Sequence, residues 1–379
     1  MCAHPGSLKK NNKLKAYFQL VTNLVRLLIE WIVLLVTSLY SDSRLIFNLN
    51  SNLYDKDNLN CKESEVDDAN LSSMETEPRV KLNPWFVTGF CDAESSFCVK
   101  FHQNKKLKFG FQVQPCFLIN LHSKDKALLE TIQSYFSVGK LDKNDSESIQ
   151  FRVSSIKELE VIINHFDKYP LITHKWSDYE LFKIVFLKIK TKEHLELEGF
   201  KQLVAIRASI NWGLSDKLKA AFLNIKPVKR PIIKDQSIPD PNWLAGFTSG
   251  EGCFIVKIKK SPLSRLGESV ELRFQITQHS HDEQLINTFV KYFECGKYYL
   301  RSKDKPTQAG DFVVQRYSDI EEKIIPFFNK YPILGSKSED FKDFKVVATL
   351  IKNKEHLIKE GLLQIKNIKA GMNSGRKLK

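Results

Sequence analysis

Residues 83–96 read NPWFVTGFCDAESS, and residues 240–253 read DPNWLAGFTSGEGC, a second copy of the same pattern. A small residue and a glutamate stand near the end of each copy, and the glutamates are Glu94 and Glu251. Duplication of such a segment within one chain predicts two copies of one domain that face each other across an approximate two-fold axis. We therefore expect the two glutamates to meet at that axis, where paired carboxylates would form a metal site.

The repeat extends well beyond these two segments. At an offset of 157 residues, His122 matches His279 and Asp125 matches Asp282. At an offset of 162 residues, the tetrapeptide Lys-Glu-His-Leu at 192–195 recurs at 354–357. A period this long indicates a duplicated domain rather than a solenoid repeat. The predicted organisation is an N-terminal leader and disordered tether at 1–79, a first domain at 80–229, a proline-rich linker at 230–239 and a second domain at 240–379.

The charge balance favours a polyanionic partner. The chain of 379 residues has a formal net charge of +14, and 42% of its residues are hydrophobic, which suffices for two real cores. Residues 1–78 hold 8 Lys and Arg against 10 Asp and Glu, so the duplicated part carries +16. Such a charge favours nucleic acid, although a merely solvated basic surface is the alternative. The 7 cysteines form no CxxC pair, which indicates a reducing compartment and argues against structural zinc.

The first 79 residues differ in kind from the rest. An apolar run from Phe18 to Tyr40 is long enough to span a bilayer, but Arg26 and Glu30 interrupt it. Four interpretations of this run stay open: a membrane anchor, a targeting segment, upstream sequence read in frame, or an amphipathic helix without function. Residues 41–80 are rich in Asn, Ser and Asp with little periodicity, which predicts the disordered tether.

Small residues in each repeated segment predict two closely packed helices. Gly89 and Ala93 lie four residues apart on one face of a helix, and Gly246 and Gly250 repeat this spacing. A glutamate at the end of such a helix lies among unpaired carbonyl groups at the negative end of the dipole, which is unfavourable unless a cation is present. Two such ends side by side offer carboxylate and carbonyl oxygens, a set suited to Mg²⁺.

Beyond each glutamate the hydrophobic pattern changes to period two, which predicts antiparallel strands with one apolar and one polar face. Strands of about ten residues reach roughly 33 Å, so two sheets in line would cover on the order of twenty base pairs. Plain solvent exposure of the polar face is the alternative. The residues that we predict to contact DNA from this face are Ser96, Cys98, Lys100, His102, Gln112, Gln114, Cys116, Asn120, Ile255, Lys257, Lys259, Arg273, Gln275 and Thr277.

These residues resemble a known family. Both segments resemble the LAGLIDADG motif of homing endonucleases, in particular the single-chain, two-motif enzymes encoded in fungal mitochondrial introns, and the likeness covers residues 80–379. The resemblance implies an α+β fold of two pseudo-symmetric αββαββα halves that form a DNA-binding saddle, with the LAGLIDADG helices at the interface. It further implies a mitochondrial, monomeric enzyme that cuts both strands of a long asymmetric target with Mg²⁺ or another divalent cation. The sequence gives no sign of a protein partner.

The resemblance also assigns roles to single residues. It implies that Glu94 and Glu251 are the acidic metal ligands, helped by the carbonyl groups of Ala93 and Gly250. Five residues after the proline of each Tyr-Pro pair stands a lysine that matches the basic residue near the scissile phosphates, and Gln278 matches the polar residue that positions water. The two lysines are Lys175 and Lys337.

Two positions depart from the family pattern. Leu121 stands where the second half has Gln278, so the two active centres are expected to differ. Ser95 stands where the motif usually ends in glycine, whereas Gly252 keeps the glycine. If the backbone at Ser95 must take a positive φ, serine would cost about 1 kcal/mol there.

Two other functions are compatible with the same residues. Some LAGLIDADG proteins act as RNA maturases, and this fold would present the same basic surface to intron RNA. The chain could also be a cleavage-deficient relative that binds DNA without cutting it. The histidines His122, His279 and His281 lack the spacing of metal ligands, and we interpret them as structural or DNA-facing.

Overall fold

The computed structural model describes residues 81–211, 213–301 and 308–376. The predicted leader and tether at 1–79 lie outside the described residues, so their interpretations stay open. Within the part of the chain that is described, no helix is long and apolar enough to cross a membrane. The predicted boundaries of the two halves and of the linker stay a proposal.

The first half runs helix, strand, strand, helix, strand, strand, helix and then adds further helices. Its elements are α1 (Pro84–Glu94), β1 (Ser95–Gln103), β2 (Phe111–His122), α2 (Lys126–Phe136), β3 (Lys140–Lys143), β4 (Ser148–Val153), α3 (Ile156–Lys168), α4 (Lys175–Lys190), α5 (Leu197–Ser209) and α6 (Asp216–Ala221). Short 3-10 helices precede α2 and α5, at Ser123–Asp125 and Glu193–Leu195.

The second half repeats this order. Its elements are α7 (Pro241–Glu251), β5 (Gly252–Lys260), β6 (Glu268–His279), α8 (Glu283–Phe293), β7 (Lys297–Leu300), β8 (Ala309–Val314), α9 (Tyr317–Asp319), α10 (Ile325–Lys330), α11 (Lys337–Lys352) and α12 (Lys359–Ala370). A π-helical turn at Ile320–Ile324 joins α9 to α10, and 3-10 helices lie at Ser280–Asp282, Glu355–Leu357 and Asn373–Gly375. The predicted α+β class and the two αββαββα halves are confirmed, each extended by at least two helices.

Each half contains one four-stranded antiparallel sheet. The strand order is β1-β2-β4-β3 in the first sheet and β5-β6-β8-β7 in the second. On the inner face Phe97 pairs with Phe117, and at the matching place Phe254 pairs with Phe274. All four rings are buried under the helices, because alternate residues of each strand point to the same face.

Helices α1 and α7 form the interface between the halves and cross at glycines. A Cβ atom on Gly89 would lie 1.9 Å from the carbonyl oxygen of Trp243, and one on Gly246 would lie 2.0 Å from that of Phe86. Neither position tolerates a side chain at this separation, because both obstacles are backbone atoms. The predicted close approach of the two helices is therefore confirmed.

A buried polar contact breaks the symmetry of this interface. The Asp92 carboxylate accepts hydrogen bonds from Trp243 Nε1 (2.8 Å), the Ile172 amide (3.0 Å) and the Thr173 hydroxyl (2.6 Å). Burial raises the pKa of Asp92 to about 6, although these hydrogen bonds act to lower it. At the matching positions the other side of the interface has Ser249 in place of Asp92 and Phe86 in place of Trp243.

Candidate active site between the two halves

The site is built where α1 and α7 end together. Their last residues are Glu94 and Glu251, and a Cβ atom on Gly250 would lie 3.2 Å from Oε1 of Glu94, so this carboxylate packs over the end of the opposite helix. Burial and then the negative charge of Glu94 raise the pKa of Glu251 to about 7, against the opposing effect of two nearby lysines. The two carboxylates are thus close enough to repel each other.

Two lysine side chains reach these helix ends. The Lys175 ammonium donates hydrogen bonds to the carbonyl oxygens of Cys91 (2.9 Å) and Ala93 (3.1 Å). Lys337 does the same at the end of α7, where it donates to the carbonyl oxygens of Ser249 (3.2 Å) and Gly250. Each ammonium therefore binds carbonyl groups at the end of its own motif helix and offsets the negative end of the dipole.

Both carbonyl groups that we predicted as helpers in metal binding, those of Ala93 and Gly250, accept a lysine. A carbonyl oxygen has two lone pairs, so this contact leaves room for a second partner. With the two carboxylates they form an all-oxygen donor set, which suits a hard divalent cation. The raised pKa of Glu251 fits such a site, because a cation held between the two half-buried carboxylates would offset the repulsion between them. The described residues hold no cluster of three or more His, Cys, Asp or Glu side chains suited to a metal.

The two ends differ in one neighbouring residue. Gln278 Nε2 donates a hydrogen bond of 3.4 Å to Oε1 of Glu251. The matching residue, Leu121, packs against the core of the first half and has no donor to offer Glu94. Leu121 and Glu94 line the same cavity of about 280 Å³, which Asn120 and Lys337 also line. The surroundings of the two carboxylates are therefore not equivalent.

Ser95 carries none of the strain that a positive φ would impose. Its φ is −84° and that of Gly252 is −72°, so both residues are extended and the conditional cost of serine does not arise. The Ser95 hydroxyl instead donates to the carbonyl oxygen of Cys91 (2.6 Å). At Gly252 the constraint is space, because a Cβ atom would lie 2.3 Å from Cγ2 of Thr248, and the first half has a cysteine at the position of Thr248.

A family model, that of LAGLIDADG endonucleases, matches residues 87–186 and 244–348, and so includes both glutamates and both lysines. The chain belongs to the LAGLIDADG endonuclease family. It is 44% identical over 301 residues to probable intron-encoded endonuclease 2 of Neurospora crassa, a match that covers 76% of this chain and 64% of that protein. The chain thus spans less than two thirds of that relative.

Solved LAGLIDADG structures also match the chain. The I-SmaMI homing endonuclease bound to cleaved DNA is 43% identical, with a TM-score of 0.76, and the match covers 78% of this chain and 99% of that one. The LAGLIDADG meganuclease I-CpaMI bound to uncleaved DNA is 48% identical with a TM-score of 0.74, over 78% of this chain and 100% of that one. The predicted family is confirmed.

The first LAGLIDADG half places most of the predicted DNA-facing residues on one face of its sheet. Lys100 lies opposite Gln114, and His102 lies opposite Gln112. Cys116 shares this face but is only 1% exposed, so it is the member of the predicted set least open to a ligand. Ser96, Cys98 and Asn120 are the other predicted members on β1 and β2.

Sequence reasoning missed the contribution of the later strands to this face. Arg152 on β4 forms an ion pair of 2.6 Å with Asp142 on β3, and Gln150 donates a hydrogen bond of 2.6 Å to Asn120. The alternation of apolar and polar residues in β4 could have indicated that this strand contributes polar side chains to the face. Which partner strand it joins could not be read from that pattern.

The second LAGLIDADG half presents basic and acidic side chains on the matching face. Lys257 lies opposite Glu271, and Arg273 lies opposite Ile255 on the neighbouring strand. Burial and then the charge of Arg273 lower the pKa of Lys257, and Nε of Arg273 is buried without a hydrogen-bond partner. Gln275, Thr277 and Lys259 complete the predicted set on this face.

A missed pair of residues connects the strands of the second face. Arg301 donates hydrogen bonds to Asp311 on β8 (2.7 and 2.8 Å) and to the Thr277 hydroxyl on β6 (3.1 Å). Gln275 also donates to Asp311 (3.1 Å). These charged groups lie beside the predicted residues and are already paired with each other.

The raised pKa of Glu251 makes a pH-dependent stability effect testable in the LAGLIDADG site. The folded protein holds the Glu251 proton up to about pH 7, whereas the unfolded chain releases it near the ordinary pKa of 4.5. Ionisation of Glu251 therefore lowers the free energy of unfolding, and this loss grows as pH rises between the two values. We expect Glu251→Gln to raise the free energy of unfolding by about 1–3 kcal/mol at pH 8 with EDTA, and the gain to vanish near pH 4.5. Urea unfolding at both pH values measures it.

Glu147→Gln is the matched control, because Glu147 lies exposed in the turn before β4. It should leave the free energy of unfolding unchanged at both pH values. An equal gain for Glu251→Gln at pH 4.5 and pH 8 would contradict the assignment of the effect to carboxylate ionisation.

Proposed function

We propose that this chain is a site-specific homing endonuclease that uses a divalent cation, Mg²⁺ in the cell, to cut both strands of a long asymmetric DNA target. The observation that carries the proposal is the meeting of Glu94 and Glu251 at the ends of two crossing helices, flanked by Lys175 and Lys337. A binding protein has no need for two mutually repelling carboxylates at the centre of its interface.

The proposed DNA partner is supported by charge and by surface chemistry. The duplicated part of the chain carries +16, and the outer face of each sheet presents the Lys, Arg, Gln and Asn side chains that read base edges in the major groove. The relatives I-SmaMI and I-CpaMI were both solved bound to DNA. Intron RNA is a second possible polyanion, and no contact described above favours it.

The proposed cation would be held by Glu94 and Glu251 with the carbonyl oxygens of Ala93 and Gly250. When bound, it supplies Lewis-acid stabilisation of the charge that develops on the phosphate. Lys175 and Lys337 add positive charge at the same place, and Gln278, which donates to the Glu251 carboxylate (3.4 Å), would orient a water molecule. The I-SmaMI relative was also solved with uncleaved DNA in the presence of calcium ions, which supports a divalent cation in the family.

The remaining features of the proposal concern setting and assembly. We propose a monomer, because the duplicated halves supply both motif helices of the interface within one chain. We also propose a mitochondrial location, for which the family resemblance and the intron-encoded Neurospora crassa relative give support. The predicted domains at 80–229 and 240–379 fit the two sets of repeated elements.

Cleavage of a randomised duplex library tests the proposal directly. The protein is incubated with the library and Mg²⁺, and the cut ends are sequenced. A single long consensus with breaks on both strands is expected, and it should disappear with EDTA and with Glu251→Gln. A consensus that is bound but never cut would instead support the cleavage-deficient relative, and retention of host-intron RNA in place of DNA would support the maturase.

The proposed DNA face predicts strong salt dependence and local loss of specificity. Affinity for the selected target should fall steeply between 50 and 200 mM salt, because bound phosphates release counterions. Lys100→Ala and Lys257→Ala should each relax base preference at one or two positions, with a cost of about 1–3 kcal/mol. Binding to single-base variants of the target measures it. Lys183→Ala is the control, because Lys183 pairs with Asp167 between two helices (2.5 Å). An affinity that does not change with salt would contradict the proposal.

A further inference from the structure

We infer that Asp125 and Asp282 are positioning residues that hold each active-site lysine from the opposite half of the protein. Each aspartate accepts the backbone amide of a residue in the other half. That residue lies directly before the helix that begins with the active-site lysine. The inference deepens the proposed endonuclease function and rests on it for its catalytic consequence.

The first contact joins the first half to α11. Asp125 ends the 3-10 turn after β2, and its Oδ1 accepts the backbone amide of Ser336 (2.6 Å). Its Oδ2 accepts the hydroxyl of the same serine (3.0 Å). Ser336 is the residue directly before α11, and Lys337 is the first residue of that helix.

The second contact is the equivalent one, from the second half to the first. Asp282 ends the 3-10 turn after β6, and its Oδ1 accepts the backbone amide of His174 (2.8 Å) and lies 3.0 Å from Nδ1 of the same residue. His174 is the residue directly before α4, and Lys175 is the first residue of that helix. The aspartates match each other at the offset of 157 residues, and both contacts cross between the halves.

These carboxylates hold the residue directly before each lysine helix. A helix leaves its first amide groups free, and a side chain of the residue before the helix commonly accepts one of them. Neither Ser336 nor His174 makes such a side-chain cap. A carboxylate at this place also interacts well with the positive end of the helix dipole. The other half therefore holds the backbone directly before each lysine helix, whereas the amide of Lys175 itself is accepted within its own half by the Thr173 hydroxyl oxygen (3.2 Å).

A second contact fixes the same loops from the motif helices. Asp92 accepts the amide of Ile172, three residues before Lys175, and the Ser249 hydroxyl oxygen accepts the amide of Leu334 (3.1 Å), three residues before Lys337. Each loop is thus held from its own motif helix and, next to the lysine, from the opposite half. Loss of either hold would let the lysine ammonium move away from the carboxylates.

Different residues pack against the two aspartates that make the contacts between the halves. The linker residue Gln236 is buried, and its Nε2 donates to Oδ1 of Asp282 (2.7 Å) and to the carbonyl oxygen of Ile172 (2.9 Å). Asp125 instead packs against Gly335, whose φ is +73° and whose Cβ, if present, would lie 2.7 Å from Oδ1 of Asp125. Glycine is needed there for both the backbone conformation and the space.

Strand-resolved cleavage of the selected target tests the inference. Each strand is labelled separately, and single-turnover rates are measured with saturating protein and Mg²⁺. Asp282→Ala should slow cleavage of the same strand that Lys175→Ala slows. Asp125→Ala should slow cleavage of the other strand, as Lys337→Ala does. We expect the affected strand to slow by about 10–100-fold, because a displacement of about 1 Å at a catalytic group has an effect of that size. DNA affinity should stay within about threefold.

Conservative and control variants separate positioning from general damage. Asp125→Asn and Asp282→Asn keep an acceptor oxygen for the amide, so they should recover part of the rate. Asp145→Ala removes an aspartate that accepts the amides of Glu147 and Ser148 (both 2.8 Å) within its own half, and it should slow neither strand selectively. Equal slowing of both strands by both alanine variants would overturn the inference.

Amide hydrogen exchange provides a readout that needs no cleavage. Asp125→Ala should speed exchange at the start of α11, and Asp282→Ala should speed exchange at the start of α4, while the remainder of each helix stays protected. If an alanine variant fails to fold, the asparagine variant replaces it in the same comparison. Unchanged exchange would overturn the inference, whereas absence of cleavage by the unmodified protein with the expected exchange pattern would count against the proposed function instead.

Discussion

Glu94→Gln and Glu251→Gln are each expected to abolish double-strand cleavage, lowering its rate by about 10³-fold or more. Glutamine keeps the size of the side chain but removes a negative charge from the pair that would hold the cation. Affinity for the target should stay within about tenfold, because the base and phosphate contacts lie on the sheets. Cleavage on a supercoiled plasmid and binding in calcium, measured on the same preparations, separate the two effects.

Glu198→Gln is the matched control for these variants. Glu198 lies in the first turn of α5 and pairs with Lys201 on the protein surface (2.8 Å). The Glu198→Gln variant should cut at the rate of the unmodified protein. Normal cutting by either Glu94→Gln or Glu251→Gln would remove the paired carboxylates from the proposed mechanism, whatever their position in the fold.

Gly89→Ala and Gly246→Ala are expected to destabilise the folded protein by about 3 kcal/mol or more each. Their new methyl groups would lie 1.9 and 2.0 Å from carbonyl oxygens of the opposite helix, so α1 and α7 would have to separate. Separation breaks the packing at the centre of the molecule and moves both carboxylates. Urea unfolding of the full chain measures the loss, and expression in soluble form at 37 °C gives a second measure.

Gly110→Ala separates crowding from backbone strain. Gly110 has a φ of +73°, but no atom other than those of Gly110 and its two chain neighbours lies within 4 Å of the place its Cβ would take. Alanine there should lower the free energy of unfolding only by the cost of the left-handed conformation, about 1–2 kcal/mol. If Gly89→Ala costs no more than Gly110→Ala, the close crossing of the two helices does not set the stability of this interface.

The central features could be predicted from the sequence because each depends on local periodicity or on the repeat. The spacing of Gly89 and Gly246 within matching segments predicts the crossing helices, and alternation in β1 and β5 predicts which side chains share the polar face. The position of Lys175 and Lys337 after the Tyr-Pro pairs came from the family resemblance. The structure brings both lysines to the ends of the two motif helices.

Features that depend on contacts between distant residues could not be predicted. Asp125 and Asp282 were visible as a matched pair, but their partners lie 211 and 108 residues away in sequence. The burial of Cys116, which is 1% exposed, could not be predicted from the period-two pattern, because that pattern places it on the polar face. The extended backbone at Ser95 likewise follows from the way α1 runs directly into β1.

The unequal contact between Asp92 and Trp243 gives each half a preference for the other over a copy of itself. Two copies of the first half would place Phe86 where Trp243 stands, so each Asp92 would lose its indole donor. Two copies of the second half would bury each Trp243 indole against Ser249 without a carboxylate. In the first pairing each Asp92 would keep its hydrogen bonds from Ile172 and Thr173. In the second pairing each indole would be a buried donor without its acceptor, which costs about 1–3 kcal/mol. Recombination that exchanges halves between such enzymes would therefore keep this selectivity only if the aspartate and the tryptophan are inherited as a pair.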